Sequence, residues 1–144
     1  MKKFVLLVAV FLAAIPAFAQ LNVKASAKSK NIASIRMGVI RVSSSDAGFF
    51  LSMTTDNQFD RPGVFFLGAD KESATATVDG MLAILAENDT DAMTTVECSP
   101  GVECNLYVKT QLGVPVLWFK FDGCAGRQGL SKGELERVKA AVNK

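Results

Sequence analysis

Residues 97–104 read Glu-Cys-Ser-Pro-Gly-Val-Glu-Cys, two Glu-Cys pairs on either side of a Pro-Gly step. Two carboxylates and two thiols gathered by one chain reversal offer three chemistries. Carboxylates several ångströms apart serve as acid and base in glycoside hydrolysis. Neighbouring thiols oxidise to a disulfide outside the cytoplasm. A single thiol, once ionised, is a nucleophile. The third cysteine, Cys124 in Phe-Asp-Gly-Cys-Ala-Gly-Arg-Gln-Gly (121–129), competes for either partner or stays a free thiol.

The length of the reversal decides between these. The tight two-residue turns favoured in hairpins need positive φ at the first loop position, which Pro100 cannot adopt. The expected loop is therefore five residues, Ser99 to Glu103. It sets Cys98 opposite Cys104 on one face and leaves Glu97 and Glu103 as diagonal neighbours, roughly 7–8 Å apart, on the other. An even loop would send the cysteines to opposite faces. The expectation is a structural Cys98–Cys104 disulfide, with Cys104–Cys124 as the competing link and Cys124 as the spare thiol.

Other chemistry is narrowed by a count of zero: the chain has no histidine. Ser-His and Cys-His nucleophile pairs, imidazole bases and His-ligated metal sites are thereby excluded. Three cysteines lack the fourth ligand of a zinc site, and no metal or cofactor is expected. Asp56 and Asp60 in 54–63, and Asp89 and Asp91 in 86–93, lack the spacing of a calcium loop and read as Asx-turns and a helix end. Gly123, Gly126 and Gly129 precede a helix without the spacing of a phosphate loop.

The chain opens with Lys2 and Lys3, an apolar run from Phe4 to Ile15, Pro16, and Ala17-Phe18-Ala19. This is the pattern of a secretory signal peptide cleaved at Ala19-Gln20, with an apolar run shorter than the roughly 20 residues of a bilayer span. Residues 1–19 are read as that leader, 20–33 as a flexible Ser/Ala/Lys segment, and 34–144 as one domain. The whole chain carries 16 basic and 14 acidic residues, and removal of Lys2 and Lys3 leaves the signs equal. Without a basic excess, nucleic-acid binding is not expected.

Two helices and six strands must position the candidate groups. Ala74, Val78, Met81, Leu82 and Leu85 fall on one helical face, with Asp70 as N-cap, Asn88-Asp89 as the stop, and Gly80 inside, where a strand is expected to pack close. Ser131 and Glu134 form a capping box, and Leu130 and Leu135 a hydrophobic staple, for a C-terminal helix. Strands are expected at 34–42, 48–54, 63–68, 94–98, 105–110 and 114–121. The order β-β-β-α-β-β-β-α with short connections predicts an α+β fold, mainly one antiparallel curled sheet of about six strands with two helices packed on it. Several strands are apolar on both faces, so the sheet must curl or meet a partner, a homodimer through an apolar sheet face included. The two halves echo one another too weakly to establish a duplication.

The functional expectation is an exported small binding or accessory protein without a catalytic site. Its partner is an unidentified protein or small molecule, and it has no membrane span. The alternatives are a carboxylate-based hydrolase at Glu97/Glu103 and a thiol-dependent protein at Cys124. Glutamates at exposed hairpin tips commonly serve solubility, which ranks the hydrolase second.

Overall fold

The computed structural model describes residues 29–144. The expected leader, 1–19, and most of the 20–33 segment lie outside them. The chain runs β1 (Lys30–Ile35), β2 (Ile40–Ser45), β3 (Gly48–Met53), β4 (Gly63–Gly68), α1 (Lys71–Glu87), β5 (Met93–Ser99), β6 (Val102–Gln111), β7 (Val114–Phe121), β8 (Gln128–Ser131) and α2 (Lys132–Val142). The fold is α+β. In place of one curled six-stranded sheet there are two antiparallel sheets of four, ordered β1-β2-β3-β4 and β5-β6-β7-β8.

Two strands escaped the sequence pattern. The stretch 34–42 alternates as a single strand would, but Arg36, Met37 and Gly38 take φ of 52°, 51° and 87° and reverse the chain. Ile35 and Ile40 then pair across the turn, and Met37 sits wholly exposed at its tip. A single alternating strand would put Ile35 and Ile40 on opposite faces; the reversal turns both inward and leaves Met37, on the expected face of Ile35, in solvent. β8, Gln-Gly-Leu-Ser, has little strand propensity of its own and forms by pairing with β7. β1 begins at Lys30, ahead of the expected domain start at residue 34.

With these strands included, each half is four antiparallel strands followed by a capped helix. The β3–β4 loop of the first half thus corresponds to the β7–β8 loop of the second. Asp70 and Ser73 build the capping box of α1, Ser131 and Glu134 that of α2. The helices run antiparallel against each other, tied by Lys139 Nζ to Asp79 Oδ1 at 2.6 Å and Asn143 Nδ2 to Thr75 Oγ1 at 3.1 Å. α1 lies on β4 and reaches β6 and β7, while α2 lies on β8 and reaches β1 and β2, so each helix bridges both sheets. Gly80 meets no neighbouring strand; it faces open space.

The inner sheet faces and the helices enclose one core. Phe65 of β4 meets Phe119 of β7 edge-on at 6.1 Å, and Phe119 stacks near Phe121 at 6.4 Å. Ile40, Leu51, Leu117, Phe119, Leu130 and Leu135 are fully enclosed, each contributing about 1.5–3 kcal/mol relative to exposure. Arg36 grips Glu134 with its Nη2 2.6 Å from both carboxylate oxygens, fastening the β1–β2 turn to the start of α2. Burial alone would raise the Glu134 carboxyl. The Ser131 N–H and the Arg36 guanidinium overcome that and hold it below its usual value. Among the described residues no helix is long and apolar enough to cross a membrane.

Candidate functional site

Three segments that carry candidate chemistry converge at one end of the molecule: the β3–β4 loop, the β5–β6 hairpin and the β7–β8 loop. The first and third are knitted together. Asp60 accepts the backbone N–H groups of Ala125 (3.0 Å) and Gly126 (2.7 Å), the Thr55 hydroxyl (2.8 Å) and the Asn57 amide (3.2 Å). Asp56 exchanges two bonds with Arg127: its N–H donates to the Arg127 carbonyl at 2.9 Å and its Oδ1 accepts the Arg127 N–H at 2.8 Å. Gly126 permits this approach, because a Cβ there would stand 2.5 Å from Asp56 Oδ1.

The opposite side of the same loop faces a cation. Lys120 Nζ donates to the carbonyls of Cys124, Ala125 and Gly126. Residues 124–126 therefore run between a carboxylate that accepts the N–H groups of Ala125 and Gly126 and an ammonium that donates to all three carbonyls. The Gly126 N–H above all, then the Thr55 hydroxyl, hold the Asp60 carboxyl below its ordinary value. Oxygen-rich residues that suggested a calcium loop thus serve as a clasp between the two halves. Asp89 and Asp91 lie elsewhere, at the end of α1, where Asp89 Oδ1 accepts the Asp91 N–H at 3.0 Å. Among the described residues no three acidic or sulfur ligands are grouped to hold a metal.

The hairpin differs from expectation in its turn. Its loop is the two-residue Pro100-Gly101, with Gly101 at φ 73° and the ladder resuming at Ser99↔Val102. Proline followed by a positive-φ glycine is the type II pattern, which the exclusion of primed turns does not cover. Type II twist fits a hairpin poorly. A bulge between Glu97 and Ser99 supplies the extra residue and the extra twist. Cys98 is that residue, and the shift returns Cys98 and Cys104 to the same inner face despite the even loop. Glu97 and Glu103 stand directly opposite, not diagonally, and both are exposed. Glu97 Oε1 accepts the Gly101 N–H at 3.0 Å, bracing the turn.

All three cysteines are free thiols in this structure. Burial first, then the nearby Cys98 sulfur, pushes Cys104 up to about 12. Burial likewise raises Cys98, and Cys124 is raised by burial and then by Asp60, against the pull of Lys120. None is poised as a thiolate near neutral pH.

Between the three segments lies an open cleft of about 470 Å³. Phe59, Val64, Val102 and Phe121 supply apolar walls, with Arg61 and Cys124 beside them. The Phe59 side chain is 87% exposed on an otherwise polar loop. Asp122 N–H donates to the Glu103 carbonyl at 2.9 Å, and Cys124 Sγ approaches the Arg61 carbonyl at 3.8 Å, closing the cleft floor. Arg61 forms no ion pair among the described residues. Sequence reasoning passed over Phe59, Arg61 and Lys120. The one available signal was a phenylalanine inside Asp-Asn-Gln-Phe-Asp-Arg, where a buried role has no apolar neighbours to share it.

The outer face of the second sheet carries Tyr107 and Trp118, whose rings are already covered by cations. Arg127 lies 4.9 Å over Trp118 and donates to the Tyr107 hydroxyl at 3.2 Å, and Lys109 stands 5.7 Å over the Tyr107 ring. A second groove, of about 730 Å³, runs between the helices and the β6–β7 turn, lined by Leu82, Ala86, Val114 and Pro115. Compared with known protein families, curated proteins and solved structures, the chain shows no match.

Proposed function

We propose that this chain is an exported small binding or accessory protein, without a catalytic site, whose ligand enters the cleft at Phe59. The supporting observation is the state of the polar groups around it. Asp56, Asp60, Lys120 and Glu97 are each bonded to backbone partners, and burial raises all three thiols, which argues against catalysis by these groups. The aromatic ring and the cation that face outward there are Phe59, which is exposed, and Arg61, which has no ion-pair partner among the described residues; exposed Asp122 also lines the cleft, its Oδ1 accepting the Gly123 N–H. An apolar group that carries an anion matches that pair. The ring and Val64 and Val102 take the apolar part, and the guanidinium takes the charge.

The hydrolase reading has less support. Glu97 braces its own turn, and both glutamates stand on the exposed face of the hairpin. Saturation-transfer NMR with 4-phenylbutyrate and 4-phenylbutylamine tests the proposal. The carboxylate should bind more tightly than the amine, and Phe59→Ala should weaken it. Equal binding of both compounds, undisturbed by Phe59→Ala, would refute it.

A further inference from the structure

Cys104 sits on β6 between its two potential partners. Across one side it pairs with Val96 of β5, and across the other with Phe121 of β7. Cys98 lies two residues past Val96, on the same inner face. Its Sγ donates to the Val102 carbonyl at 3.3 Å, so the sulfur already overhangs the strand that carries Cys104. The bulge leaves Cys98 without a ladder partner of its own, on the buried inner face that it shares with Cys104. Cys124 follows Phe121 at the start of the β7–β8 loop, and its sulfur approaches the Arg61 carbonyl in the cleft at 3.8 Å. Cys98 and Cys104 are 0% and 1% exposed, whereas Cys124 is half-buried.

We propose that Cys98 and Cys104 are an oxidation site, joined as a disulfide while the chain folds outside the cytoplasm, with Cys124 left as the thiol of the cleft. The inference rests on export and not on the ligand chemistry above. Oxidised glutathione is a sufficient oxidant. One cysteine thiolate attacks its disulfide, forms a mixed disulfide and releases one glutathione. The second cysteine then attacks the protein sulfur and releases the other. Two protein S–H bonds and the glutathione S–S bond break, and one protein S–S bond and two glutathione S–H bonds form. The reaction belongs to folding, because the closed core shields both thiols and disfavours their ionisation. The link fixes Ser99 and Val102, which line the cleft, so oxidation sets one wall of the binding site.

Refolding of reduced, denatured protein in a glutathione redox buffer, followed by alkylation and non-reducing digestion after glutamate, gives the answer. That protease leaves Cys98 on 98–103 and both Cys104 and Cys124 on 104–134, so the linked peptides stay together only through sulfur and fragmentation of 104–134 shows which of its cysteines carries the alkyl group. The expected map has Cys98 joined to Cys104 and Cys124 alkylated, and Cys124→Ser protein should give the same link. The oxidised form should also melt at a higher temperature than the reduced form. A Cys104–Cys124 link, or three alkylated cysteines after refolding, would overturn the proposal. So would loss of the Cys98–Cys104 link in folded Cys124→Ser protein.

Discussion

Replacing Gly63 with alanine probes how the two sheets meet beneath the cleft. A Cβ on Gly63, at the start of β4, would stand 2.2 Å from Cδ2 and Cε2 of Phe121, on β7 of the other sheet. Real contacts of that length do not occur, so the ring or the strand must move. The ring has little room: Phe121 is 2% exposed and stacked near Phe119, which is itself fully buried against Phe65. Overpacking of this kind costs about 1–3 kcal/mol. At roughly 4–8 °C per kcal/mol for a domain near 100 residues, the thermal midpoint should fall by about 4–24 °C. Phe121→Ala alone should cost about 3–5 kcal/mol through the cavity it leaves. In the double variant the alanine methyl enters space that the ring has vacated. Its loss should be smaller than the sum of the single losses by about 0.5–3 kcal/mol, the range for residues in contact. Denaturant melts of the four proteins complete the cycle. Additivity within about 0.5 kcal/mol, or a neutral Gly63→Ala, would refute this account of the interface.

Two further outcomes follow from the helix and the clasp. Leu135, fully buried at the start of α2, should cost about 2–5 kcal/mol as Leu135→Ala, and Ser131→Ala about 0.5–2 kcal/mol through the lost cap; chemical denaturation reads both. Asp60, whose carboxyl the Gly126 N–H and the Thr55 hydroxyl hold below its ordinary 3.8, adds stability above that value and loses it as pH falls through the lower folded value. The loops should therefore loosen below about pH 4, seen as faster Gly126 amide exchange relative to core amides. Asp60→Asn should lose that acid step, and an unchanged acid profile in the variant would count against the clasp.

Local signals were the legible part of this fold. Both helices and the Ser131–Glu134 box follow from side chains within one turn of each other. What escaped depends on partners far along the chain. β8 has no strand character until β7 is beside it, and the apparent alternation of 34–42 hides a turn that no proline or Asn-Gly pair marks. The repeated order of four strands and a helix was hidden for the same reason. With β1 merged into β2 and β8 missing, β4 falls in the same place along the chain as β7, whereas its counterpart in strand order is β8. At the site, the cysteines and acidic loops were visible as residues, but their convergence was not. The clasp of Asp60 on Ala125 and Gly126 joins positions 65 and 66 residues apart. The hairpin parity went wrong through the type II turn, and the bulge at Cys98 restored the expected facing of the cysteines by a different route.

The central claim is that the cleft at Phe59 and Arg61 takes an apolar anion, and amide-shift mapping during a titration with 4-phenylbutyrate tests it most directly. Saturable shifts should concentrate at Phe59–Val64, Ser99, Val102 and Gly123–Cys124, and Arg61→Ala should weaken them while leaving the spectrum folded. Shifts confined to the groove at Leu82, Ala86 and Val114, or none that saturate, would contradict it.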